Sequence, residues 1–389
     1  MYKRAPYWLN GMVPLSFLLK NETNLMEQAT KYVTYIMSHQ TKEGWLGPDD
    51  IMDGNMYWSR FNVLNSFRMY CEGVNNSDPQ TCDMLKSSML KYILNQHERM
   101  YVVPLQDWSA ARYMDFILSV HWLIENGGSI IDGYQSTLFD VAQLAHSQGM
   151  DWEWWFDRLP TQPVAPDNTS YYTHGVNNAQ AFKSAAVWFR QTANDTLRVL
   201  SETRLTNMDM YHGQATGMFG ADEHLAGRMP SRGTELCAVV EYMFSFQIMF
   251  SVFGDVNYLD RLERVAVNAL PATFASPTGG DMWAHQYLQQ VNEINAIYSD
   301  PVCCLCFSFC IVVAPRFCLC EYAGDVDSTI YGLEPNYGCW LDLFSFYLFV
   351  GLFALRLPQL YFLYLCVVLI PVIVIVTIVY LKKKRKNLD

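Results

Sequence analysis

Residues 221–245 read ADEHLAGRMPSRGTELCAVVEYMFS. Glu223 stands twelve positions ahead of Glu235, and Glu235 is followed at once by Leu236 and Cys237. The first half, rich in Gly, Pro and Ser, reads as loop, and the second is an apolar run that reads as helix. A Glu-x-Cys where the loop turns into the helix sets a carboxylate beside a thiol, and their charged forms repel unless a cation lies between them. A metal ion is the obvious candidate. The plainer alternatives are an acid favoured by a helix N-terminus, worth about 0.3–1 kcal/mol, and a buried cysteine acting as a small apolar residue.

The same helical period runs outward from this stretch, over residues 24–274. NLMEQATKYVTYIMSHQ places Leu25, Ala29, Val33 and Ile36 on one face behind a possible Asn24 cap, and SAARYMDFILSVHWLIENGG stops on Gly127 and Gly128. Similar runs recur with Gly-, Asp- and Pro-containing loops between them, and no strict repeat of solenoid length accompanies them. The expected fold is all-α, a helical toroid of α/α barrel type.

The chain has 389 residues and is 51% hydrophobic, enough for one large domain or two smaller ones. A net charge of −11 argues against nucleic acid, which wants a basic stripe. Aromatic residues make up 15% and gather with acids in EGWLGPDD, DGNMYWSR and DWEWWFDRLP. Such segments suit a cleft for a carbohydrate, while for most individual tryptophans rings filling a helical core are the plainer reading. Sequons at Asn21, Asn75, Asn168 and Asn194 predict passage through a secretory compartment and glycosylation there. Cys71 and Cys82 flank a polar decapeptide that a disulfide could close. No signal peptide precedes Met1, whose neighbours already read as domain interior.

Composition changes at Val302. Residues 302–324 hold six of the eleven cysteines without a helical face, and their spacing fits no common zinc module. Ordinary domain sequence returns over 325–340, followed by a hydrophobic tail, 341–389. Within it, residues 360–381 are long and apolar enough to cross a ~30 Å hydrocarbon layer. The basic run 382–386 after them predicts a single-pass membrane protein with a cytosolic C-terminus and the helical domain, residues 1–301, outside or in the lumen. A second reading makes 302–324 and everything after Cys339 retained introns.

YKRAPYWLNGMVPL, YIMSHQTKEGWLGP, THGVNNAQAFK, DEHLAGRMPSRGTELCAVVEYMFS and YGLEPNYGC together resemble the β-L-arabinofuranosidase-like catalytic domain of glycoside hydrolase family 127. The resemblance covers most of 2–301 and returns for 325–339. It implies an (α/α)6 barrel, expected here to be incomplete and without the family's β-sandwich, and a zinc ion held by a Glu-x-Cys pair and two adjacent cysteines. Carried over, Glu235 and Cys237 are zinc ligands, Cys339 is both ligand and nucleophile, and Glu223 is the acid/base. Trp340 stands where the second adjacent cysteine belongs.

A retaining glycosidase splits the displacement in two, one group attacking the anomeric carbon while an acid protonates the departing oxygen. Cysteine attacks as thiolate, which zinc favours by removing the thiol proton. A partly dry pocket would raise the Glu223 carboxyl toward an acid's working range. His174 and His212, beside glycines in loops expected at the barrel mouth, and Trp58 in DGNMYWSR are the candidate substrate contacts; ordinary loop histidines are the alternative. The expected function is therefore a retaining pentofuranoside hydrolase impaired by Trp340. The competing expectation is an inactive, membrane-anchored glycan-binding domain.

Overall fold

The computed structural model describes residues 4–19, 21–48, 52–74, 77–229, 232–273, 284–285, 288–289 and 302–303. All belong to one compact unit, Met1–Phe344; the second unit, Ser345–Asp389, lies outside the described residues, and with it the expected span at 360–381. Asn75, Cys339, Trp340 and the cysteines of 304–324 lie outside them too.

Helices follow one another as α1 (Arg4–Leu18), α2 (Thr23–Ser38), α3 (Trp58–Val74), α4 (Pro79–Val102), α5 (Asp107–Ala111), α6 (Tyr113–Asn126) and α7 (Gln135–Gln148). After them come α8 (Trp152–Phe156), α9 (Gly175–Ala181), α10 (Ser184–Thr192), α11 (Thr196–His212), α12 (Leu236–Phe253) and α13 (Val256–Asn268). Local chemistry sets several of the boundaries. Asp78 caps α4 by accepting from the Thr81 amide at 3.1 Å, with Pro79 in the first turn, where a missing N–H costs nothing. Gly127 closes α6 as its sequence predicts, and Gly254 closes α12 in the left-handed conformation, φ 70°. The Asn24 cap is not formed: α2 begins at Thr23 after Glu22, which places Asn24 inside the first turn.

Inner helices pack in the succession α1, α3, α6, α10, α12, and α2, α4, α7, α11 and α13 lie outside them, each against the inner helix it follows or neighbours. This inner–outer alternation is the one a helical toroid requires. Asn10 of α1, Asn62 and Asn65 of α3, Asp115 of α6, and Glu241 and Phe244 of α12 line one cavity of about 10 Å³, so the first and last inner helices face a common axis. Room for about one water remains there.

α12 is, among the described residues, the one helix long and apolar enough to cross a membrane. It is buried over most of its length against α9, α10 and α13, as the central helix of a toroid must be. That burial accounts for its apolarity without a bilayer.

The described residues are mostly helical, as expected, with a few short strands among them. Short strands β1 (Gly220–Asp222), β2 (His224–Gly227), β3 (Thr234–Glu235) and β5 (Leu288–Gln289) form a sheet in the order β2-β1-β3-β5, while β4 (Ala284–His285) pairs with β6 (Val302–Cys303). β1 and β2 are antiparallel, with Asp222 opposite His224; β1 and β3 are parallel, and β3 and β5 antiparallel. Strands this short carry too little alternation to register as strands in sequence.

Cys71 and Cys82 form the disulfide, Cα atoms 5.1 Å apart, tying the end of α3 to the start of α4. Asn21, Asn168 and Asn194 are exposed. Among the tryptophans of the acid-rich segments, Trp45, Trp58, Trp152 and Trp155 are buried and Trp154 is exposed. Core filling therefore explains most of that indole content.

Candidate active site

One residue links β1 to β2, and it is Glu223. With Asp222 and His224 already paired, the chain reverses over a single position, which adopts φ 84°. A non-glycine residue held there stores on the order of 1–3 kcal/mol, and such strain concentrates where side-chain position matters. The turn is pinned from outside. Its carbonyl accepts from the Gly175 amide at 2.8 Å, and the Leu225 amide donates to Thr173 O at 2.9 Å. A Cβ on Gly175 would collide with that of Ala221, so the HG pair of THGVNN lets α9 press onto β1.

That contact brings His174 to Glu223. His174 caps α9, its Nδ1 accepting from the Asn177 amide at 3.3 Å, so in the neutral ring Nε2 bears the proton and points it at Glu223 Oε1, 3.3 Å away. Glu235 arrives from the other side. It is the last residue of β3 and immediately precedes α12, with extended backbone and no capping bond from its side chain. Ligand atoms of His174, Glu223 and Glu235 all fall within 4.8 Å of one another, with His174 and Glu235 buried and Glu223 half-buried. Cys237, fully buried, sits in the first turn of α12.

Electrostatics at Glu223 run against the sequence expectation. Burial pushes its carboxyl up, but the hydrogen bond and charge of His174, a hydrogen bond with Glu235 and the charge of His224 outweigh burial and hold it below the usual carboxylate range. The pocket is half-dry, as expected; two histidines decide the sign. His224, whose Nδ1 meets Thr173 Oγ1 at 2.9 Å, is lowered by burial and then by the charge of His174.

Around this cluster lies a shell that sequence reasoning did not pick out. Arg112, buried, donates from Nε to Asn177 Oδ1 at 3.1 Å and from Nη1 to the Tyr7 hydroxyl at 2.6 Å. Its guanidinium lies 4.9 Å from the centre of Trp58 and 4.8 Å from that of Trp108. Trp108 in turn packs its ring against His174, centroids 5.1 Å apart. Asn177 and Asn178 use their side-chain amides to hold Tyr171 O and Tyr172 O, at 3.0 and 2.7 Å, and so shape the loop before His174.

Two expected substrate contacts move to the background. His212 is fully buried; its Nδ1 accepts from the Gly227 amide at 2.9 Å and its Nε2 bonds Pro160 O at 2.6 Å. Both ring nitrogens are spent on backbone, which makes this histidine a brace for β2. Trp58 is buried behind Arg112, packed on Tyr7 and Trp108, and supports the wall instead of forming its surface. His174, Glu223 and Glu235 are brought together, Cys237 lies two positions after Glu235, and Cys339 lies outside the described residues.

Residues 143–306 match the family model for the β-L-arabinofuranosidase GH127 catalytic domain, a span that contains all the described members of the cluster. Among solved structures, one titled as a glycoside hydrolase is 16% identical, with a TM-score of 0.50 over 74% of this chain and 48% of its own length. A GH127 β-L-arabinofuranosidase from Geobacillus stearothermophilus T6 is 15% identical, with the same TM-score and coverage. At such identities the likeness is one of fold, and the chain spans about half the length of these proteins. No curated protein matches the chain. The strained turn and the converging acids thus sit within a segment, 143–306, that matches the GH127 β-L-arabinofuranosidase catalytic domain.

Proposed function

We propose that the chain is a retaining glycoside hydrolase of the β-L-arabinofuranosidase type, with Glu223 as acid/base and Cys339 as nucleophile. The observation that carries this reading is the convergence of His174, Glu223 and Glu235 at a strained turn inside the family-matched segment. Two carboxyls and an imidazole within 4.8 Å make a donor set that a borderline cation accepts, and Cys237, buried two positions after Glu235, is the soft ligand that the family resemblance implies. The acids at this turn support a zinc reading, in which Glu235 and Cys237 would be the described ligands and Cys339 a further one. When bound, zinc would keep the cysteine sulfurs deprotonated at neutral pH.

Residues of the chain itself do the rest. The His174 Nε2–H holds the Glu223 carboxylate in place, the form required to deprotonate water in the second half-reaction. Seating a sugar over Glu223 expels water and works toward protonation, the form required in the first half-reaction. Arg112, Asn177 and Asn178 fix the loop that carries His174, so the geometry is set before substrate arrives.

Trp340 removes one thiolate from the set that the family resemblance implies, so both zinc affinity and turnover are expected to be low. An aryl β-L-arabinofuranoside, with the anomeric product followed by NMR, tests the reading. Slow hydrolysis with retention, lost in Glu223→Gln and raised by Trp340→Cys, supports it. Binding of the glycoside with no turnover in the wild type or Trp340→Cys would favour the inactive glycan-binding domain instead.

A further inference from the structure

Two of the three described non-glycine residues with positive φ connect through His174, one directly and one through its neighbour Trp108. One is Glu223; the other is Asp107, φ 49°, at the start of the five-residue helix α5. Asp107 is exposed, and the next residue is Trp108, the half-buried indole that contacts His174. Opposite stands Tyr171, also half-buried, its ring perpendicular to Trp108 at 89° with centroids 4.9 Å apart. Its hydroxyl donates to Asp107, and burial together with the Asp107 charge and this bond raises its pKa.

Three separate segments hold the arrangement. Asn55 Oδ1 accepts from the Trp108 amide at 3.3 Å, the Ser109 hydroxyl donates to Asn55 O at 3.0 Å, and the Trp58 amide donates to Ser109 Oγ at 2.8 Å. DGNMYW therefore locks α5 to the start of α3. Tyr171 is fixed from its own side by the Asn177 side chain. The result is a rigid aromatic corner carrying one open carboxylate, adjoining the catalytic cluster through His174 and lying outside it.

We infer that Asp107, Trp108 and Tyr171 form an outer subsite for a second sugar ring, on the leaving-group side of the bond that Glu223 serves. A sugar presents an apolar C–H face and a rim of hydroxyls. Aromatic rings suit the first, and a carboxylate oxygen already sharing one hydrogen bond with a phenol suits the second. The inference rests on the pentofuranosidase reading and adds a residue set that discriminates between aglycones.

Calorimetric titration of the full chain, carrying Glu223→Gln so that ligand stays uncleaved, tests it with two probes: methyl β-L-arabinofuranoside and a β-L-arabinofuranosyl-L-arabinose disaccharide. Asp107→Asn and Tyr171→Phe, each added to that background, should lower the ratio of disaccharide to methyl-glycoside affinity about tenfold, the size of a lost charged hydrogen bond. Asn tolerates the left-handed backbone, and Asp107→Gly repeats the test with the strain removed. An unchanged ratio, or equal loss on both probes, overturns the outer subsite. If the parent binds the methyl glycoside but gains nothing from the second ring, the subsite alone fails. If it binds neither probe, the pentofuranosidase reading fails and takes the subsite with it.

Discussion

Two buried clusters of charge lie in this toroid and behave in opposite ways. His174, Glu223 and Glu235 gather at the β1–β2 turn, with a strained backbone and two acids facing one imidazole. On the inner axis, Asp115 and Glu241 flank Lys183, whose Nζ is 2.8 Å from Asp115 Oδ1 and 4.0 Å from Glu241 Oε2. The axial cluster carries a fixed ammonium of its own, from a lysine with no exposed surface. Its acids have an internal counter-charge, whereas the turn cluster offers an N/O donor set that suits an incoming cation. Similar residue types thus carry their counter-charge with them in one place and leave two acids around a single imidazole in the other.

Breaking the axial cluster should give the largest effect. Lys183→Met leaves Asp115 and Glu241 facing each other without the ammonium, and a loss of about 3–5 kcal/mol is expected in urea unfolding. A loss below about 1 kcal/mol would show that the acids are held by something other than the lysine.

The next effect is pH-dependent. Burial raises the Glu241 carboxyl to about 7, against the pull of Lys183, so the folded chain binds a proton there that the unfolded chain has released. The native state then holds more protons between the ordinary carboxylate value and about 7, and stability falls as pH rises through that window. Glu241→Gln removes the titration while Asp115 still pairs Lys183. Relative to wild type, the variant should gain on the order of 1–3 kcal/mol at pH 8 and little at pH 4. A difference in melting temperature that is flat with pH would break this half of the comparison.

The turn cluster predicts the smallest change, opposite in sign to that of Lys183→Met. Glu223→Gly relieves the positive φ and should stabilise the fold by up to about 1 kcal/mol while abolishing hydrolysis. A destabilised Glu223→Gly would mean that the His174 contact outweighs the strain, and that the turn is built for stability.

The helices were legible because their apolar residues recur at helical period and their stops are chemical: Gly127 and Gly254 end α6 and α12 as glycine should. α1 was missed, since Gly11 and Pro14 break its helical signal and packing on α3 sustains it regardless. Glu223, Glu235 and His174 could be named from motifs, but the sign of the Glu223 shift could not, because it depends on an imidazole brought from 49 positions away. Arg112 was invisible for the same reason, its partners Tyr7 and Asn177 lying 105 and 65 positions off. The axial cluster did leave a signal: Asp115, Lys183 and Glu241 each stand as a charge inside an apolar helical run, where a buried charge must find a partner. His212 shows the converse, a loop-like histidine beside glycine whose nitrogens the backbone consumes.

Metal content tests the central claim most directly. At a free zinc level buffered high enough to load the weakened wild-type site, elemental analysis should find about one zinc per chain in the wild type and in Glu241→Gln, and little in Glu235→Gln or Cys237→Ser. Zinc retained equally by all four, or by none, would contradict the assignment of the β3–α12 junction as the metal-binding end of the catalytic cluster.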